Sequence, residues 1–215
     1  MSNATRPVAT AGWSDAAATD HAVGVRKVAA MRAPSRRLAP AVLSAAIGLL
    51  TLPATARGPD FDFPAEVAGF ARGPRTDYEA RAPGLGYSVV YTNGRWKADV
   101  YVYAAGVANI PDGPSSPVVA GQLAQAAGDV RTAVAQGIYR GSEDRGAVRV
   151  PGEAGARLTC RAFAIDHAAL GPTESLLCMT GLRGQFVKFR LSGPSAKRPS
   201  QEETERFMIG WLRRQ

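Results

Sequence analysis

Residues Tyr87–Ala104 read YSVVYTNGRWKADVYVYA, and this stretch decides the fold. Apolar and polar residues alternate on both sides of Asn93-Gly94, a dipeptide that takes positive φ readily and predicts a two-residue type I′ hairpin turn. Counting outward from that turn sets Tyr91 opposite Trp96, Val89 opposite Ala98 and Tyr87 opposite Val100. All six then share one face, which Val102 and Ala104 continue. The other face carries Ser88, Val90, Lys97, Asp99, Tyr101 and Tyr103. Turn chemistry and alternation agree on one register, which is stronger evidence than either alone.

Working outward toward the N-terminus, a further strand is expected around Phe70–Glu79. Residues 57–69 (RGPDFDFPAEVAG) read as an irregular lead-in whose Phe61 and Phe63 dock on the domain. Toward the C-terminus, the loop NIPDGPSSP (109–117) ends in Ser116 and Pro117, an N-cap followed by a proline at the first helical position. Val119, Leu123, Ala126, Val130 and Val134 follow at helical spacing, and Gly137 is a natural stop. From Gly146 the chain alternates again, predicting a short strand at 147–150 and strands at 157–165, 174–182 and 185–191. Arg183-Gly184 makes the last tight turn. Ser200 and Glu203 stand at capping-box spacing, and Phe207, Met208, Trp211 and Leu212 then form one apolar stripe. The expected fold is α+β, a single antiparallel β-sheet of about six or seven strands with two packing helices, an α/β/α sandwich.

The N-terminal region has a different character. From Met31, Arg32, Arg36 and Arg37 precede an apolar run, Leu38–Leu52, and Ala54-Thr55-Ala56 supplies a small-residue cleavage signal. That pattern predicts a signal peptide over 31–56 and a mature domain over 57–215. The run is shorter than the roughly 20 residues a membrane-spanning helix needs, so no transmembrane anchor is expected in the mature protein. Arg36-Arg37 resembles a twin-arginine export signal, but Leu38-Ala39-Pro40 stands where apolar residues normally follow, which favours the general secretory route. Residues 1–30 are polar, Ala-rich and aperiodic, and are expected to be a disordered upstream extension, with translation starting at Met31. Residues 1–56 hold six Lys/Arg and two Asp/Glu of the chain's 26 and 18. The mature part is therefore only mildly basic, at a net +4, which gives no reason to expect nucleic acid as a partner. The expected location is periplasmic or secreted.

Export changes what two cysteines mean. In an oxidising compartment Cys160 and Cys178 become a candidate disulfide, and pairing their strands so that they meet puts Leu158, Ala162, Leu176 and Thr180 on the cysteine face. Val187, Phe189 and Leu191 join that face through the Arg183-Gly184 turn. A redox or metal role lacks CxxC spacing and further ligands. No motif for a cofactor or a metal is present, and there is neither a GxSxG elbow nor an HExxH pair.

The remaining candidates lie on the other face and in one loop. Arg161, Lys188 and Arg190 fall beside Phe163, Phe186, Leu177 and Met179. That mixture suits an anionic headgroup or a partner protein, or it packs beneath the terminal helix with the arginine stems along apolar surface. Packing is the favoured reading. Tyr101 and Tyr103, near Asp99, form an aromatic platform or stabilise the sheet as cross-strand tyrosines. Asp166 and His167 are an adjacent acid and imidazole, only one part of the constellation a small hydrolase needs, and solvated turn residues explain them adequately.

The run FPAEVAGFARGPRTDYEARAPGLGYSVVYTNGRWKADVYVYAAG (63–106) resembles the opening of uncharacterised exported proteobacterial proteins, through its Phe-Pro and Gly-Phe lead-in, its Gly-Leu-Gly-Tyr and its Ala-Asp-Val-Tyr strand. The order of elements is similar to that of the Mog1/PsbP-like α/β/α sandwich. That resemblance implies an accessory or binding module rather than an enzyme, by analogy of fold. The expected function is an exported, noncatalytic accessory or binding protein acting on a cell-envelope protein or an anionic envelope component. The rival is a periplasmic hydrolase using His167 and Asp166.

Overall fold

A computed structural model describes residues 59–150, 157–197 and 199–215, so the expected extension 1–30 and signal peptide 31–56 lie outside the described residues. The decisive hairpin forms from β3 (Tyr87–Thr92) and β4 (Lys97–Tyr103). Its register is two residues off the expected one: Tyr91 faces Ala98, Val89 faces Val100 and Tyr87 faces Val102. The turn is a four-residue loop rather than a type I′ pair. Only Gly94 takes positive φ, at 81°, while the Asn93 side chain accepts from the amides of Arg95 at 3.1 Å and Trp96 at 2.8 Å. A shift of two leaves every side chain on its expected face.

Releasing Trp96 from the ladder lets its ring lie flat over Gly193, and its indole donates to the Lys197 carbonyl at 2.9 Å. A Cβ at position 193 would come within 2.4 Å of that ring, and Trp96 is itself buried. Gly193→Ala is therefore expected to destabilise the fold by about 1–3 kcal/mol through overpacking, read from urea denaturation midpoints. A change below 0.5 kcal/mol would show that the ring can shift aside.

Around this hairpin one antiparallel sheet of eight strands assembles in the order β1-β2-β3-β4-β8-β7-β6-β5. The flanking strands are β1 (Glu66–Val67) and β2 (Phe70–Asp77) on one side. On the other are β5 (Tyr139–Val150), β6 (Leu158–His167), β7 (Gly171–Leu182) and β8 (Gln185–Pro194). The two-residue β1 takes the count above the expected six or seven. The expected short strand at 147–150 is the end of β5, a strand of 12 residues. Its first half hides from pattern reading because Ser142–Arg145 is a polar run and the register shifts at Gly141 and Gly146 break the alternation. As an edge strand, β5 needs a partner on one side only.

The two halves of the sheet, β1–β4 and β5–β8, meet along a single seam where β4 pairs with β8. Two α-helices of the described residues enclose the sheet. Helix α1 (Pro117–Ala135) starts as expected, with Ser116 Oγ accepting from the Val119 amide at 3.2 Å, and ends before Gly137, whose φ is 75°. It packs chiefly on β5, β6 and β7. Helix α2 (Gln201–Leu212) carries the reciprocal capping box of Ser200 and Glu203. The expectation that α2 covers Arg161, Lys188 and Arg190 is corrected: it packs on the cysteine face, its Phe207 ring 4.7 Å from Phe70 and 5.4 Å from Tyr91. A sheet apolar on both faces needs one helix on each, and α1, which links β4 to β5, takes the opposite face. Phe61 and Phe63 dock as expected, on Trp211, at 6.2 and 5.3 Å between ring centroids.

Cys160 and Cys178 stand directly opposite each other on β6 and β7 and are joined as a disulfide. Both are buried in the layer beneath α2, together with Leu158, Val187, Phe189 and Leu191. No helix of the described residues is long and apolar enough to cross a membrane.

Candidate functional site

The face opposite the cysteines carries two kinds of surface. Under α1 it is apolar, where Phe163, Ile165, Leu177, Met179 and Phe186 meet Val119, Leu123 and Val130. Tyr101 and Tyr103 belong to this layer, each less than 5 % exposed. The expectation of an open aromatic platform is thereby corrected: Gln122 of α1 donates to the Tyr103 hydroxyl at 3.3 Å, and the Tyr78 ring stacks 6.4 Å from that of Tyr101. Burial pushes both the Tyr103 and the Tyr78 phenols above their ordinary range, against hydrogen bonds from Gln122 and Ser88 that favour the charged form.

Along the β4–β8 seam the same face turns polar. The pairing sets Lys97 opposite Ser192, Asp99 opposite Arg190 and Tyr101 opposite Lys188. Because side chains two residues apart on a strand share a face, Lys97, Asp99, Lys188, Arg190 and Ser192 form one patch in the middle of an eight-stranded sheet. Lys97 Nζ lies 3.1 Å from Asp99, with side chains 8 % and 7 % exposed. Lys188 Nζ sits 4.1 Å from the centroid of the Tyr101 ring, a cation–π arrangement. Arg190 donates to the Tyr139 hydroxyl at 2.9 Å and to Ser175 Oγ at 3.3 Å, and Ser175 and Ser192 share a hydrogen bond of 2.9 Å. Lys188, Arg190 and Ser192 are half-buried.

Arg161 lies apart from this patch. It is two strands away on β6, paired with Asp144 of β5. Burial alone raises the Asp144 carboxyl, but the Gly146 amide and the Arg161 guanidinium outweigh it and hold the group below the usual carboxylate range. The structure therefore brings together Arg190 with Lys188, Lys97 and Asp99, and leaves Arg161 in a separate ion pair near the β5 edge.

Asp166 and His167 occupy the end of β6, where it turns into β7. Neighbours on a strand point to opposite faces, so the carboxylate does not orient the imidazole. Asp166 is exposed and holds Arg140 through two hydrogen bonds, of 3.0 and 3.1 Å, which lower its carboxyl pKa. His167 Nδ1 accepts from the amides of Ala169 at 3.1 Å and Leu170 at 3.3 Å, capping the turn. A nitrogen that accepts two N–H bonds is unprotonated, which places the neutral ring's proton on Nε2. Asp166 also borders an open hollow of about 400 Å³ lined by Glu143, Arg145, Thr173, Glu174 and Ser195. There Arg145 holds both oxygens of the Glu174 carboxylate, at 2.9 and 3.0 Å. Both Asp166 and Glu174 thus serve in ion pairs. Among the described residues no group of three or more His, Cys, Asp or Glu could hold a metal ion.

Alternation had already placed Lys97, Asp99, Lys188 and Arg190 on the outer face. Neither alternation nor composition revealed that β4 and β8 are neighbours, which is what turns four scattered charges into one patch. Comparison with known proteins adds little to this picture. No protein-family model and no curated protein matches the sequence. Among solved structures the chain is similar to cyanobacterial PsbP (CyanoP) from Synechocystis sp. PCC 6803, at 14 % identity and a TM-score of 0.37, over 64 % of this chain and 87 % of that one. The description that stands is that of the fold itself: one antiparallel sheet of eight strands between two helices, in the α+β class.

Proposed function

We propose that this chain is an exported, noncatalytic accessory or binding protein that turns the polar part of its outer sheet face toward an anionic component of the cell envelope. The observation that carries the reading is the patch of Lys97, Asp99, Lys188 and Arg190 at the β4–β8 seam. Charged side chains in the middle of a sheet are expensive to withdraw from water, and their clustering on one half-open face supports a binding surface there. The signal-peptide pattern over 31–56 and the buried disulfide are compatible with export. Asp166, held in an ion pair by Arg140, and His167, occupied in capping a turn, favour binding over hydrolysis.

Two measurements test this. The protein recovered from the periplasm of a bacterial host is expected to begin near Arg57. A photo-crosslinking residue at position 188 is expected to give envelope adducts that the same residue at position 202, an exposed site on α2, does not. Retention of uncleaved chain in the cytoplasm, or identical adducts from both positions, would remove the support for the proposal.

A further inference from the structure

We infer that His167 is a pH-sensitive latch on the β6–β7 turn: the neutral imidazole closes the turn, and protonation of its Nδ1 opens it. The inference rests on the proposed function only for its setting, since an exported protein meets the pH of its surroundings. Its own basis is the hydrogen bonding of the turn. Between His167 and Gly171 the chain reverses through Ala168, Ala169 and Leu170, whose side chains hold no polar group to satisfy the backbone. The His167 Nδ1 atom does so instead, accepting from the amides of Ala169 at 3.1 Å and Leu170 at 3.3 Å. Asparagine and aspartate commonly close turns in this way, through an oxygen that accepts from an amide two residues on. An imidazole differs from them in that its acceptor is convertible. Once Nδ1 carries a proton the ring is a donor at both nitrogens, and two backbone N–H groups face a third N–H in place of a lone pair.

The neighbours that the described residues place around the ring do not replace the lost acceptor. On β5 the Tyr139 ring lies 5.5 Å from the imidazole, and an aromatic face accommodates the neutral or the charged ring. Arg140 and Asp166 form an ion pair of their own at 3.0 Å, so their charges offset each other. Its hydrogen bonds from Arg140 hold the Asp166 carboxyl below the usual carboxylate range, which keeps that pair charged while an imidazole titrates. From β7 come Gly171, Pro172 and Thr173, all uncharged. Of the charges on α1, Arg131 bears on Asp144 and Asp129 on Tyr103. The base of the turn has ties that do not titrate with the ring: the Ala168 amide donates to the Ile138 carbonyl at 3.2 Å, and Arg140 donates to the Ala168 carbonyl at 3.3 Å. Opening is therefore confined to Ala169 and Leu170. The cap is present at neutral pH and is lost as the pH falls through the imidazole range, about 6.5 for an ordinary histidine.

The test is nuclear magnetic resonance on the purified protein, from whichever compartment it is recovered. Backbone order parameters at Ala169 and Leu170 are expected to be about 0.85 at neutral pH and to fall below about 0.6 in acid. The midpoint of that fall should match the titration of His167, followed by its own imidazole nitrogen resonances. His167→Asn places an amide oxygen where Nδ1 stood and does not titrate, so its turn should stay ordered throughout. In His167→Ala the turn should be mobile throughout, and near-UV circular dichroism checks that both variants are folded. The inference is overturned if neutral His167 carries its proton on Nδ1, or if the turn stays ordered once the imidazole is protonated. Loosening of His167→Asn in step with the wild type would also overturn it, because the titrating group would then lie elsewhere. A turn that opens in protein giving no specific envelope adducts from position 188 upholds the latch and sinks the binding role. A turn that stays rigid in protein giving those adducts does the reverse.

Discussion

Trp211→Ala is expected to cost roughly 3–5 kcal/mol, the range for truncating a fully buried tryptophan, and so to lower the melting temperature by about 10 °C or more. Trp211 has no exposed surface and lies at the centre of the cysteine-face core. Phe61, Phe63 and Phe189 surround it at centroid distances of 5.3 to 6.2 Å. Removing the ring therefore undoes the docking of the lead-in as well as the seat of α2. Trp211→Phe should behave differently. The indole N–H makes no well-formed hydrogen bond, although it lies close enough to the Tyr91 hydroxyl to favour that phenol's charged form, and a poorly satisfied buried donor is itself destabilising by about 1–3 kcal/mol. Phenylalanine loses packing area but sheds that penalty, so a net cost of only about 1 kcal/mol is expected. Urea denaturation followed by far-UV circular dichroism reads both. Equal losses for Ala and Phe would mean that the indole N–H is satisfied in solution.

Removing the disulfide, in Cys160→Ala/Cys178→Ala, is expected to cost roughly 3 kcal/mol, the loop-closure value for cysteines 18 positions apart. Both cysteines lie beneath α2 with almost no exposed surface, so a reductant cannot reach the sulfurs in the native fold. Reduction of the wild type should accordingly proceed at the rate of unfolding and be nearly independent of dithiothreitol concentration. Peptide maps with and without reductant should differ at the peptides holding Cys160 and Cys178. Free thiols at both positions, or a reduction rate proportional to reductant, would contradict the assignment.

These two residues also show what was legible in the sequence. Local chemistry was: the Ser116 and Ser200 caps, the Gly137 stop and the Arg183-Gly184 turn each depend on a few adjacent residues and are found as expected, and the facing of Cys160 by Cys178 across neighbouring strands is found where their pairing was expected. Features that depend on distant partners were less legible. The Asn93 side chain closes a four-residue loop because Trp96 is drawn to Gly193, about a hundred residues away. The start of β5 carries no alternation because β6 supplies the order that its own side chains do not. The choice of face for α2 depends on where α1 already lies, and no periodicity within α2 encodes it. The same holds for the candidate site, whose residues were visible but whose adjacency was not.

The β4–β8 seam has a consequence for the order in which this molecule comes into being. Each half of the sheet is a run of strands joined to their sequence neighbours, whereas the seam joins residues roughly 90 positions apart, a contact that forms slowly compared with a hairpin. A chain that emerges from its N-terminus therefore presents β4 with one ladder edge open until β8 arrives, nearly at the other end. Lys97 and Asp99 belong to the early half, and Lys188 and Arg190 to the late one. The polar patch is the last part of the sheet to be assembled, and a ligand held there would report on, and stabilise, the completed fold alone.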